Sequence, residues 1–77
     1  MPKLPIVSGK QAIKIFEKIG YRITRQTGSH IRMHHLFDQT KNPLSVPKHK
    51  VLGKGLLRRL LRDSELSVEK FIELLKN

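Results

Sequence analysis

The stretch Gln26-Thr27-Gly28-Ser29-His30-Ile31-Arg32-Met33-His34-His35 decides the fold. Gly28 and Ser29 let the backbone turn tightly, and a strand-like run follows at once. Strict alternation from His30 puts His30, Arg32 and His34 on one face and Ile31, Met33 and His35 on the other. One face is then basic and titratable, while the other can face a core. Upstream, Tyr21 and Ile23 alternate with Arg22 and Thr24, the pattern of a half-buried strand. The turn therefore joins two strands in a β-hairpin, the second running from about His30 to His35.

Working outward, residues 1–7 carry two prolines and read as an extended lead. Ser8 followed by Gln11 fits a capping box. Ala12, Ile13, Phe16 and Ile19 then recur at helical spacing, opposite Lys10, Lys14 and Lys18, so the first helix spans about Gly9 to Ile19. Gly20 stands where a left-handed cap is expected. On the other side, Asp38 to Pro43 is a loop by composition, and Leu44-Ser45-Val46 is a third strand ended by Pro47. Lys48-His49-Lys50-Val51-Leu52-Gly53-Lys54-Gly55 is a basic lead into a helix. That helix has Leu56, Leu57, Leu60 and Leu61 on one side and Arg58, Arg59 and Arg62 on the other. Ser67 caps a last, short helix with Val68, Phe71, Ile72 and Leu75 as its buried stripe. The order predicts an α+β fold, a three-stranded antiparallel sheet packed on helices with its second face open to solvent.

Composition narrows the function. The 77 residues make one domain, which buries only roughly 60–65% of the surface its unfolded form exposes. Any chemistry is therefore expected on a surface and not in a deep cavity. With 16 Lys+Arg against 6 Asp+Glu, the formal charge of +10 attracts polyanions. No stretch approaches the ~18 consecutive apolar residues of a membrane span. The N-terminal residues lack a signal peptide's apolar run, and the absence of cysteine suits a reducing cytoplasm. A small cytoplasmic globule with a polyanion-binding surface is the expectation.

Arg25-Gln26-Thr27-Gly28-Ser29-His30 at the hairpin, Val46-Pro47-Lys48-His49, and then Leu52, Gly55 and the Leu60-Leu61 helix together resemble the HicA (YcfA-like) mRNA interferase toxins. The resemblance runs from Ser8-Gly9-Lys10 to Phe71, with one departure at Leu56, where the family more often has threonine. It implies a double-stranded-RNA-binding-domain-like fold, α-β-β-β-α with a short C-terminal helix. It also implies ribonuclease activity on mRNA, a HicB-type antitoxin partner, and a catalytic role for the histidine of Gly-Ser-His, here His30.

The residues can support that chemistry. RNA carries its own nucleophile, the 2′-hydroxyl, so cleavage needs neither metal nor cofactor. Histidine suits the base because its ordinary pKa of about 6.5 lies near working pH. Arg32 is a bidentate donor for the phosphate, and Lys48, Lys50 and Lys54 lie before or at a helix N-terminus, where anions are favoured. Ser29 can orient the imidazole or touch a phosphate. The general acid is either His49 or water. His34 and His35 read as ordinary strand-end residues. A zinc site from His30, His34, His35 and His49 lacks any ligand spacing on a helix or knuckle.

Two other functions compete. A non-catalytic RNA-binding module of the double-stranded-RNA-binding type would use the same basic segment. Sequence-specific DNA binding by the last two helices is weaker, because Asp63-Ser64-Glu65-Leu66 is a poor match to a tight glycine turn. The free protein is expected to be monomeric, and the antitoxin complex a larger hetero-oligomer.

Overall fold

A computed structural model describes residues 3–77; of the extended lead expected over residues 1–7, Met1 and Pro2 lie outside the described residues. The chain runs α1 (Gly9–Lys18), β1 (Tyr21–Thr27), β2 (His30–His35), β3 (Leu44–Pro47), α2 (Lys54–Ser64) and α3 (Val68–Lys76). The strands form one antiparallel sheet in the order β1-β2-β3. The last helix is the shortest of the three, with 9 residues against 10 for α1 and 11 for α2.

Local chemistry sets most of these boundaries. The Ser8 hydroxyl accepts from the Gln11 amide while the Gln11 side chain accepts from the Ser8 amide, so two orphan donors of α1 are satisfied. Gly28 takes φ +59 and Ser29 does not turn positive, the sign pattern of a type II′ hairpin whose twist matches its strands. Thr27 therefore pairs directly with His30. At the end of α2 a non-glycine residue, Glu65, adopts the left-handed conformation with φ 57. Lys41 steadies it, with Nζ 3.3 Å from the Glu65 carboxylate and 3.4 Å from the Ser64 carbonyl. This is the turn that lacked its glycine in the sequence.

One sheet face is core. Tyr21, Ile31, Met33, Leu44 and Val46 are buried against Ile13, Ile15 and Phe16 of α1, Leu57, Leu60 and Leu61 of α2, and Phe71 of α3. Each such side chain is worth about 1.5–3 kcal/mol relative to exposure. The aromatic rings knit the layers, Phe16 lying edge-on to Tyr21 at 6.2 Å and 6.1 Å from Phe71. Phe71 alone of the α3 stripe is fully buried; Val68, Ile72 and Leu75 are half-buried at the rim. Lys18 ties the ends together by donating to the carbonyls of Leu74 and Asn77 at the C-terminus of α3.

Ile23 departs from the expected pattern. It pairs with Met33, yet it is 47% exposed, because β1 is an edge strand covered by helices only at its Tyr21 end. Immediately after it the register slips: Ile23 pairs with Met33 but Arg25 with Arg32, so Thr24 is an extra residue in a β-bulge. Without the bulge, alternation would carry Arg25 to the core side of the sheet. With it, Arg25 turns to the open face.

Candidate nucleic-acid interface on the open sheet face

The open face displays His30, Arg32 and His34, all exposed, as alternation from Gly28-Ser29 requires. Residues on neighbouring strands stand directly opposite them. Arg25 faces Arg32, and Arg22 faces His34. The Arg25–Arg32 pair puts two cations in direct cross-strand register, where they repel and cost stability, so this arrangement suits a face that receives an anion. Neither residues 18–37 nor residues 39–62 contain a single Asp or Glu. The cationic field of the strands is therefore uncompensated until Asp38, Asp63 and the last helix.

Two grooves open on this face, and His30, Arg32 and Ser45 line both. The first, about 430 Å³, lies between the sheet and α2; Pro43, Pro47 and His49 also line it, with Leu56, Arg59, Leu60 and Asp63 as its α2 wall. The second, about 560 Å³, runs over β1 and takes in Thr24, Arg25, Thr27 and His34. His30 thus stands on the ridge between two clefts. Among the described residues its ring takes no protein hydrogen bond, unlike His34, whose Nδ1 lies 2.6 Å from the Thr24 hydroxyl.

His49 reaches the His30 groove because β3 continues in direction past Pro47. Pro47 pairs with His30, the Lys48 amide donates to the Ser29 carbonyl at 2.7 Å, and the Gly9 amide donates to the His49 carbonyl at 2.9 Å. The approach is close: a Cβ on Gly9 would lie 1.9 Å from the Pro47 carbonyl oxygen. Lys48 and Lys50 gather with His49 beside Ser8 and Lys10 in a third, smaller hollow. Of the residues proposed for RNA, then, Arg32 and His49 share a groove with His30, Lys48 and Lys50 flank it through His49, and Ser29 is exposed at the turn. Lys54 is exposed at the start of α2 and lines none of these grooves.

Sequence reading missed four contributors. Arg25 is revealed only by the bulge, Ser45 by the register of β3, and Arg59 with Asp63 by the way α2 folds back along the sheet. His35 has a different role from the exposed histidines. Its Nδ1 accepts from the amides of Phe37 and Asp38 at 3.2 and 3.0 Å, and its Nε2 lies 2.8 Å from the Ile19 carbonyl. Since Nδ1 accepts, the proton sits on Nε2 and donates to Ile19. The ring also lies edge-on to Tyr21 at 5.0 Å, and a Cβ on Gly20 would meet it at 2.6 Å. His35 latches the loop after β2 and is not part of the open face.

Electrostatics elsewhere are local. Burial, and then the carboxylates of Asp63, Glu65 and Asp38, push the Tyr21 phenol above its ordinary value, and its hydroxyl donates to the Asn42 carbonyl at 2.9 Å. The Thr40 hydroxyl and amide hold the Asp38 carboxyl below its usual range. No group of three or more His, Asp or Glu side chains among the described residues is placed to hold a metal ion.

A family model described as HicA toxin of bacterial toxin–antitoxin matches residues 9–66, which include the hairpin, the β3 exit and α2. The chain belongs to the HicA toxin family. The match places this HicA-family protein among the toxins of toxin–antitoxin systems and bears out the resemblance read from its motifs. A comparison with curated proteins gives no match. No helix among the described residues of this HicA chain is long and apolar enough to cross a membrane.

Proposed function

We propose that this toxin is a metal-independent endoribonuclease that cleaves mRNA, with His30 as its general base. The observation that supports this best is the place of His30, an exposed imidazole on a ridge between two clefts, on strands that carry arginines and no carboxylate. RNA laid across the strands brings a 2′-hydroxyl to the His30 ring. Removal of that proton lets the oxygen attack the adjacent phosphorus, the 5′ oxygen leaves, and the products are a 2′,3′-cyclic phosphate and a 5′-hydroxyl.

Arg32 sits beside His30 and serves the phosphorane as a charged two-pronged donor. Arg25, opposite it, shares the load. His49, in the same groove, is suited to protonate the leaving oxygen. Lys48, Lys50 and Lys54 hold flanking phosphates, and Ser29 contacts the backbone at the turn. General acid–base help gives about 10²–10⁴-fold per group, so the enzyme is slow by the standard of dedicated nucleases. A HicB-type antitoxin, acidic where it meets this face, neutralises the toxin by covering His30.

The test is incubation of wild-type and His30→Ala proteins with labelled single-stranded RNA in excess EDTA. Wild type should yield fragments ending in 2′,3′-cyclic phosphate, while His30→Ala should bind the RNA and leave it intact. Cleavage by the variant, or loss of wild-type cleavage on chelation, refutes the proposal. Intact RNA with wild type at high protein ratio leaves a non-catalytic RNA-binding module.

A further inference from the structure

We infer that the groove between the sheet and α2 is a nucleobase subsite selective for guanine, reading the base next to the bond at His30. It rests on the RNA-binding part of the function proposed above. Leu56, Arg59, Leu60 and Asp63 recur at i, i+3, i+4 and i+7, so they form one stripe along α2, and that stripe is the groove's wall. Its composition differs from that of the rest of the open face. The cleft over β1 presents cations and hydroxyls, as a phosphate track would. This one adds apolar side chains, of which Leu56 and Pro43 are open to a ligand, and it contains a carboxylate.

A carboxylate repels phosphate, so Asp63 argues against a second backbone site. It accepts hydrogen bonds, however, and the only groups in RNA bases that offer a paired donor edge to one carboxylate are the N1–H and N2–H of guanine. One turn away, Arg59 is 72% exposed and meets Asp63 only loosely, Nε to carboxylate 3.9 Å, which leaves its outer fork for the acceptors O6 and N7 of the same base. Leu56 and Pro43 offer the apolar surface that covers the ring. A volume of about 430 Å³ is in the range of pockets that hold a small ligand. The cationic rim from Arg32 and His49 draws in the phosphate attached to that base.

The experiment uses His30→Ala full-length protein, which keeps the fold because His30 is exposed and its ring takes no hydrogen bond among the described residues, and which carries over from the cleavage test. GMP, AMP, CMP, UMP and inorganic phosphate are titrated separately while the Leu56 methyl and Arg59 Nε–H resonances are followed by NMR. GMP should move both and bind at least about fivefold more tightly than the other nucleotides, the discrimination of one good bidentate contact. Asp63→Asn should erase that preference while melting like its parent. Equal affinity for all four nucleotides, equal movement with phosphate alone, or no movement at Leu56 and Arg59 overturns the inference. In the last case, retained binding of long RNA leaves the ribonuclease proposal standing while the guanine subsite falls.

Discussion

Replacing Gly9 with alanine should unravel the junction that carries His49. The new Cβ would sit 1.9 Å from the Pro47 oxygen and 3.0 Å from the Lys48 Cα, both backbone atoms that no rotamer change can move. Ordinary contact begins at 3.4 Å, so α1 must retreat by about 1.5 Å. That retreat breaks the 2.9 Å bond from the Gly9 amide to the His49 carbonyl. The lost bond costs about 1 kcal/mol and the overpacking a further 1–3 kcal/mol, roughly 2–4 kcal/mol together. For a chain of this size each kcal/mol shifts the melting point by about 4–8 °C, so Tm should fall by about 10–30 °C. Thermal denaturation followed by circular dichroism reads this directly. Gly55→Ala is the control, since nothing lies within 4 Å of its added Cβ in the first turn of α2. It should gain about 0.5 kcal/mol and melt slightly higher. A Gly9→Ala protein that melts within a couple of degrees of wild type would refute the close-approach argument.

Tyr21→Phe loses the bond to the Asn42 carbonyl and should cost about 0.5–1.5 kcal/mol at neutral pH by urea denaturation. Because the folded-state value of Tyr21 is raised, its contribution is intact below the unfolded value of about 10 and is lost as pH rises toward the folded one. The gap between the two proteins should therefore shrink in alkali; a constant gap contradicts it. His35→Ala frees the amides of Phe37 and Asp38, so their hydrogen exchange should accelerate while that of Ile31 and Met33 does not. Unchanged exchange at 37 and 38 would mean that the ring holds nothing. Lys18→Met removes the donor to Leu74 and Asn77, and fraying of α3 should lower stability by about 0.5–1 kcal/mol. No change in the α3 amide shifts argues that the lysine is merely solvated.

Features encoded within a few residues were legible before any coordinates. The Ser8/Gln11 box, the Gly28-Ser29 turn and the alternation from His30 to His35 each depend on neighbours along the chain, and each is found in place. What failed depends on distant partners. Tyr21-x-Ile23 looks half-buried, but whether Ile23 is covered is decided by how far the helices extend over an edge strand. The bulge at Thr24 has no glycine to announce it, so the outward turn of Arg25 could not be anticipated. The site divides in the same way. His30 and Arg32 were visible as one strand face, whereas Arg59 looked like a solvated helix position and Asp63 like a turn residue until α2 was laid beside β3. Gly9 was visible only as part of a motif; its necessity comes from Pro47, far along the chain.

The splice of Ser29, Lys48, His49 and Gly9 uses main-chain atoms alone: the Lys48 amide on the Ser29 oxygen and the Gly9 amide on the His49 oxygen. The side chains at 29, 48 and 49 are thereby excused from architecture, and what stands at those positions is free to follow the ligand. Substituting Ser29 or Lys48 should retune affinity and preference, and substituting His49 should slow cleavage, on a scaffold that hardly registers the exchange, which makes this corner of the toxin an easy place for specificity to diverge.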